Sequence, residues 1–272
     1  MTPDFGKIRS SRVISTDQVS IVYTAQGHGG PALLFIHGGF ADRSFWAAQF
    51  PSFQKKHRVI ALDLAGHGES GQNRVHWDIF AFAQDVRAVM EKERIEKAVL
   101  IGNSMGGPVA IEAAAILGDR ILGIVAVDTL QVLRQGSSED FFQKRAQEFR
   151  QDFSGTMKKM VGLLFHPNTY PALYDQVEQA MLRSYAPMAP ALMESFAGYR
   201  LTDSLAKINC PIRCINGDLF PTQTAENRAV YPDFDAVILP ETGHYPMLEN
   251  PLLFNRHLAL IVQDISNSVH QK

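Results

Sequence analysis

Lys97-Ala-Val-Leu-Ile-Gly-Asn-Ser104-Met-Gly-Gly-Pro-Val-Ala-Ile-Glu-Ala-Ala-Ala115 decides how the rest of the chain is read. Residues 98–101 are four consecutive apolar side chains, the pattern of a strand buried on both faces. Residues 105–117 are good helix formers, with Pro108 near the start, where a missing N–H costs nothing. The join between them, Gly102-Asn-Ser104-Met-Gly106, matches the G-x-S-x-G nucleophile elbow. Glycines suit this place: a serine held in a strained conformation at a strand-to-helix reversal needs neighbours without Cβ atoms. Five residues alone are weak evidence; their position between a buried strand and a helix makes Ser104 a candidate nucleophile.

Outward from this stretch the chain keeps one rhythm. Short apolar, β-rich runs fall at residues 32–36, 57–62, 98–101, 121–127, 211–215 and 236–239, with helical stretches at 44–53, 78–92 and 108–117 between most of them. Alternation of this kind predicts a mostly parallel sheet covered on both faces, with ligands at the carboxyl ends of the strands. Residues 12–15 and 19–24 alternate around Thr16-Asp17-Gln18 and predict a hairpin on the sheet edge. The rhythm breaks between Thr129 and Leu205, where no convincing strand occurs. Apolar residues there recur at helical spacing, as in Phe142, Ala146, Phe149, Phe153 and later Met188, Leu192, Phe196, Tyr199. A stretch this long is no loop, so it is expected to be several helices inserted after one strand, forming a lid over the strand ends.

Composition bounds the possibilities. The 272 residues are 46% hydrophobic and 20% charged with a net charge of −2, which fits an ordinary globular protein and gives no electrostatic footprint for nucleic acid or an anionic membrane. Cys210 and Cys214 flank an apolar Pro-Ile-Arg segment; their spacing is unlike a redox pair, and they are expected to be inert buried thiols. Residues 1–7 lack the apolar core of a secretory signal, and the longest apolar runs are too short to span a bilayer, so a soluble cytoplasmic protein without membrane attachment is the expectation.

Three further stretches converge on Ser104. His37-Gly38-Gly39-Phe40 directly follows a strand, and a glycine-rich turn there can aim the Gly39 N–H at the pocket; with the Met105 N–H at the start of the next helix it would complete an oxyanion hole. His37 is weighed as a base and set aside in favour of bracing the turn. Asp63-Leu-Ala-Gly66-His67-Gly68-Glu69-Ser70 has a Gly-x-Gly but not the spacing of a phosphate loop; Asp63 and His67 are expected to order a tight loop. Glu241-Thr-Gly243-His244 follows the last strand, and a histidine on such a loop can reach across to the serine.

These four motifs, in this order, resemble the α/β-hydrolase superfamily, and the resemblance covers nearly the whole chain. It implies an eight-stranded, mostly parallel α/β sheet flanked by helices. A core domain would comprise residues 1–128 and 206–272, with a helical cap of residues 129–205 inserted after the sixth strand. It also implies Ser104 as nucleophile and His244 as base. The family's usual acid follows the seventh strand in a Gly-x-x-Asp pattern, whereas here Gly217-Asp-Leu-Phe220 puts phenylalanine at that position. Some relatives use a carboxylate at the end of the sixth strand, which Asp128 supplies. A charge ending an apolar strand needs a partner, so Asp128 is favoured, with Asp218 next and Glu226 and Glu241 behind. The expected activity is acyl transfer from a small to medium carboxylic ester to water, without metal or organic cofactor. Serine at the elbow argues against the dehalogenase and epoxide-hydrolase branches, which need aspartate. Lactonase, thioesterase, carbon–carbon bond hydrolase and cofactor-free perhydrolase chemistries stay open, as does a non-catalytic ligand receptor, although silent relatives typically lose a triad member.

Overall fold

A computed structural model describes residues 10–134 and 139–269; residues 1–7, read above for targeting, lie outside them. Eight strands form one sheet: β1 (Ser10–Ile14), β2 (Ser20–Gln26), β3 (Ala32–Ile36), β4 (Val59–Leu62), β5 (Ala98–Asn103), β6 (Ile121–Val127), β7 (Ile212–Gly217) and β8 (Phe234–Leu239). Their order across the sheet is β1-β2-β4-β3-β5-β6-β7-β8. The β1–β2 hairpin sits at the edge as expected, β2 pairs antiparallel with β1 and β4, and all other pairings are parallel. Every residue of β3, β4 and β5 is buried, which explains their apolar runs, interrupted only by Gly102-Asn103 at the end of β5.

The helices are α1 (Phe50–Phe53), α2 (Ile79–Lys92), α3 (Gly106–Leu117), α4 (Glu139–Gln151), α5 (Phe153–Val161), α6 (Pro171–Met181), α7 (Met188–Ala197), α8 (Leu201–Leu205), α9 (Thr224–Val230), α10 (Pro246–Glu249) and α11 (Pro251–Val269). The single helix expected over residues 44–53 is instead a 3₁₀ turn at Arg43–Trp46 followed by α1, which restarts with Pro51 in its first turn. Proline cannot donate to the preceding turn and its ring crowds the carbonyl four residues back, so one helix cannot run through. Between β6 and β7 the described chain forms five helices, α4 to α8, with α4 packed on α7 and α8 against α3. The expected apolar positions Ala146, Phe149, Met188 and Leu192 are buried there.

Helix α3 lies where sheet and helices crowd most, against β3, β5, β6, α2 and α8. A Cβ on Gly102 would collide with the carbonyl oxygen of Gly106, and one on Gly106 would stand 2.5 Å from the Ile36 carbonyl oxygen. Two glycines therefore set how closely β5, β3 and the start of α3 approach.

The turns after β3 and β4 are braced by two buried histidines. His37 Nε2 accepts the Leu64 N–H at 3.0 Å, so Nδ1 carries the proton and donates to Gly38 O at 2.7 Å. His67 packs against His37 with ring centroids 4.8 Å apart and planes inclined at 53°, and its Nδ1–H donates to Ala65 O at 2.9 Å. Burial pushes His37 down to about 4 and His67 well below the ordinary histidine value. Asp63, also buried, accepts from the Arg43 and Glu69 N–H groups at 2.8 and 2.9 Å and pairs with the Arg43 guanidinium. Both expectations for these loops hold: His37 braces a turn, and Asp63 and His67 order the adjacent loop.

Two stability measurements test this packing. Gly102→Ala should cost about 1–3 kcal/mol in a denaturant titration, the usual range for overpacking, while Gly198→Ala, with nothing within 4 Å of the added Cβ, should stay near wild type. Because His37 is neutral in the fold at about 4 and takes up a proton near 6.5 when unfolded, its contribution is complete above pH 6.5 and is lost as pH falls toward 4. Stability should therefore fall from pH 7 to pH 5, and His37→Asn should reduce the slope there, the remainder coming from His67, which burial lowers as well. An equal slope in the variant would remove His37 as its source.

Candidate active site

Ser104 occupies the turn between the end of β5 at Asn103 and the start of α3 at Gly106, with φ of 52°. For a residue with a side chain this left-handed backbone costs about 1–3 kcal/mol and persists only when the surroundings enforce it. They do so here: the Ser104 N–H donates to Val127 O at 3.1 Å, its carbonyl accepts the Gly107 N–H at 3.0 Å, and the glycine contacts leave no room for a wider turn.

His244 lies on the loop between β8 and α10. The Asp218 carboxylate accepts the N–H groups of Glu241 and Thr242 at 2.9 and 3.1 Å. The Glu249 carboxylate accepts those of Gly243 and Tyr245, each at 3.0 Å, and the His244 N–H donates to Leu164 O at 2.7 Å. Asn103 Nδ2 donates to both Val127 O, at 2.9 Å, and His244 O, at 3.0 Å, tying the serine strand to the histidine loop. Neither Asn103 nor Glu249 emerged from the sequence reading. A polar residue ending an apolar strand was the available signal for Asn103, and an acid four residues beyond Tyr245, three past Pro246, was the signal for Glu249.

The imidazole meets one carboxylate among the described residues. His244 Nδ1–H donates to Asp128 Oδ2 at 2.6 Å, and Asp128 Oδ1 accepts the Gly217 N–H at 3.0 Å. Asp128 follows β6 directly, is 1% exposed, and has φ of 44°, a turn that swings its side chain off the strand end. Its own N–H continues the β6–β7 pairing by donating to Ile215 O at 3.1 Å. Asp218 is exposed and spends both oxygens on the loop backbone, which holds its carboxyl below the usual carboxylate range. Glu226 and Glu241 are exposed as well. Phe220 sits edge-on to the His244 ring at 6.4 Å between centroids, closing that side with an apolar group.

Among the described residues the N–H groups of Gly39 and Met105 have no acceptor within the chain, and both residues line the cavity that Ser104 and His244 share. The Met105 N–H also stands at the positive end of the α3 dipole, a favourable place for negative charge.

This cavity has a volume of about 760 Å³, and its outer wall comes from the chain between β6 and β7. Phe142, Phe196 and Tyr199 line it, whereas Phe149 packs on Phe40 and Phe153 in the interior. The expected mixture of lining and core aromatics is what is found. Tyr199 is held by donating to the buried Glu112 carboxylate of α3 at 3.0 Å. Both cysteines are buried, with burial pushing the Cys210 thiol up to about 11 and Cys214 higher still, so neither is a nucleophile. Among the described residues no cluster of three His, Cys, Asp or Glu side chains is placed to hold a metal, and no helix is long and apolar enough to cross a membrane.

Known proteins share this arrangement of elements. A family model described as the alpha/beta hydrolase family matches residues 33–257. The dihydrolipoyllysine-residue acetyltransferase component of the acetoin cleaving system of Pseudomonas putida is 28% identical over 244 residues, 87% of this chain, which spans only 65% of that relative's length. The 3-oxoadipate enol-lactonase 2 of Acinetobacter baylyi is 23% identical over 261 residues, covering 92% of this chain and 96% of the lactonase. The crystal structure of a thermophilic esterase from Thermogutta terrifontis superimposes with a TM-score of 0.82 at 24% identity, over 94% of this chain and 99% of that one. The family match runs from β3 into α11 and takes in the elbow and the motifs around Gly39, Asp128 and His244; the chain belongs to the α/β-hydrolase family.

Proposed function

We propose that the protein is a serine hydrolase that cleaves a small to medium carboxylic ester through an acyl-enzyme. The observation that carries this reading is the 2.6 Å hydrogen bond from His244 Nδ1 to Asp128 Oδ2, made in the wall of the cavity that Ser104 also lines. With Nδ1 committed as a donor to a carboxylate, Nε2 is left as the basic nitrogen, the tautomer a general base needs. Ser104 Oγ attacks the ester carbonyl carbon as its proton passes to His244 Nε2. The Gly39 and Met105 N–H groups receive the oxyanion, and the imidazolium returns the proton to the departing alkoxide. Water then repeats the attack on the acyl-enzyme, releasing the acid and restoring Ser104. Asp128, fixed by the Gly217 N–H, orients the ring and stabilises its positive charge.

In the same reading residues 1–128 and 206–272 form the catalytic core and residues 129–205 a cap that selects substrates. Support for the division comes from the five helices between β6 and β7 and from the cavity wall they contribute. A lactone is an internal ester that the same steps would open, and the alignment with an enol-lactonase over 92% of the chain makes ring substrates the second class to assay.

Two experiments test the assignment. A fluorophosphonate probe should add once, on the peptide containing Ser104, and Ser104→Ala should abolish both labelling and 4-nitrophenyl butyrate turnover; equal labelling of another serine would sink the nucleophile. Asp128→Asn should lower kcat by about 10⁴, the cost of making the wrong histidine tautomer available. Asp218→Asn keeps an acceptor oxygen for the loop and should lose less than about tenfold. The reverse order of the two variants, each checked for folding, would move the acid to the seventh strand.

A further inference from the structure

The wall of the cavity over Ser104 is mostly apolar, and among the described residues the charged side chains that line it are Arg134, Arg145 and Arg200, with no Asp or Glu. In a chain with 28 acidic and 26 basic residues, composition alone would mix the signs. All three arginines come from the chain between β6 and β7 and share the cavity with the elbow, Gly39 and Met105. Arg145 is the most enclosed, with its side chain 15% exposed. Its guanidinium lies over the Phe141 ring at 5.6 Å, and its Nη1 nitrogen stands 3.2 Å from Glu148 Oε2. Arg134 has no carboxylate within 4.0 Å among the described residues, while Arg200 is 77% exposed and stands 3.4 Å from Asp203. A guanidinium held against an aromatic face beside an apolar wall is poorly hydrated and keeps a flat edge of donors for a carboxylate.

We propose that the substrate is an ester, open or cyclic, that bears a carboxylate joined to the scissile carbonyl by a short chain. Arg145, assisted by Arg134, takes up that carboxylate while the apolar wall holds the linking carbons. This rests on the serine-hydrolase reading and adds to it the class of molecule that the cap selects. A carboxylate so placed also explains why the lining carries no acidic side chain: one there would repel the substrate and neutralise the arginines.

The test compares 4-nitrophenyl monoesters of succinic, glutaric and adipic acid with 4-nitrophenyl esters of the unbranched monocarboxylic acids of matching length. For at least one length kcat/KM should favour the carboxylate ester by about tenfold, the worth of a hydrogen bond to a charged group. The preference should lie mainly in KM and shrink as salt is raised. Arg145→Gln and Arg134→Gln should each pull the ratio toward one, Arg145→Lys should keep part of it, and Arg228→Gln, outside the cavity, should leave it unchanged. Neutral esters turned over as well as their charged partners at every length would overturn the proposal, as would a ratio that survives both glutamine variants. A binding arm needs no turnover: adipate should raise the melting temperature of the wild-type protein more than hexanoate does, and Arg134→Gln should remove that difference. If no ester is cleaved and Ser104 is not labelled while adipate still stabilises through the arginines, the hydrolase reading fails and the anion site stands. If esters are cleaved and adipate is no better than hexanoate, the anion site fails and the hydrolase reading stands.

Discussion

Everything at this site depends on the close approach of β5, β3 and the first turn of α3. The chain passes from Asn103, the last residue of a fully buried strand, to Gly106, the first residue of a helix, with only two residues between. No relaxed backbone makes that reversal, and Ser104 takes up the difference with φ of 52°. Because the carbonyls of Ile36 and Gly106 lie within reach of any added Cβ, the turn cannot open to relieve the strain. The constraint has three effects together. It lifts the serine out of the sheet, sets the Met105 N–H at the end of a helix dipole, and brings the Gly38-Gly39 turn alongside. A single packing decision thus supplies a hydroxyl and two free donors in one place.

The histidine reaches that place by a different kind of control. Its loop is irregular, and irregular backbone needs a partner for each buried N–H. Asp218, Glu249 and the Leu164 carbonyl satisfy the five N–H groups from Glu241 to Tyr245, so the loop is held along its whole length rather than at its ends. Asn103 closes the circuit by donating from the serine strand to the His244 carbonyl. Much of the precision of the site therefore comes from polar groups that take no part in the chemistry proposed for it, and the chain between β6 and β7 is fastened to the same frame through Tyr199 and Glu112.

How much of this was legible in the sequence divides along physical lines. Features set by local pattern were visible: the apolar runs that became strands, the glycine-flanked serine, the edge hairpin, and the helical spacing of Phe142, Phe196 and Tyr199. Asp128 was legible for an energetic reason, since a carboxylate ending an apolar strand must find a partner. What stayed hidden depends on contacts between distant segments. The pairing of Asn103 with a carbonyl 141 residues later has no period to betray it. The three arginines gather at one cavity only after the inserted helices have folded back over the sheet, and Pro51 split a predicted helix through a steric effect that propensity sums do not weigh.

The place of the proposed acid, Asp128, at the end of β6 follows from sheet geometry. Strands β6 and β7 are parallel neighbours in register, Val127 beside Ile215, so their carboxyl ends lie about 5 Å apart. A carboxylate from either end can point at the same imidazole nitrogen provided its backbone turns toward the other strand. Asp128 does this with φ of 44°, and the Gly217 N–H, which ends β7, accepts the task of fixing it. The seventh-strand position is then free of any polar duty, and Phe220 fills it edge-on to the imidazole. A carboxylate there as well would set a second negative charge beside the first, raising the proton affinity of both and weakening the bond that orients the ring. Placing the carboxylate that meets His244 after β6 and an apolar side chain after β7 are thus two parts of one electrostatic solution.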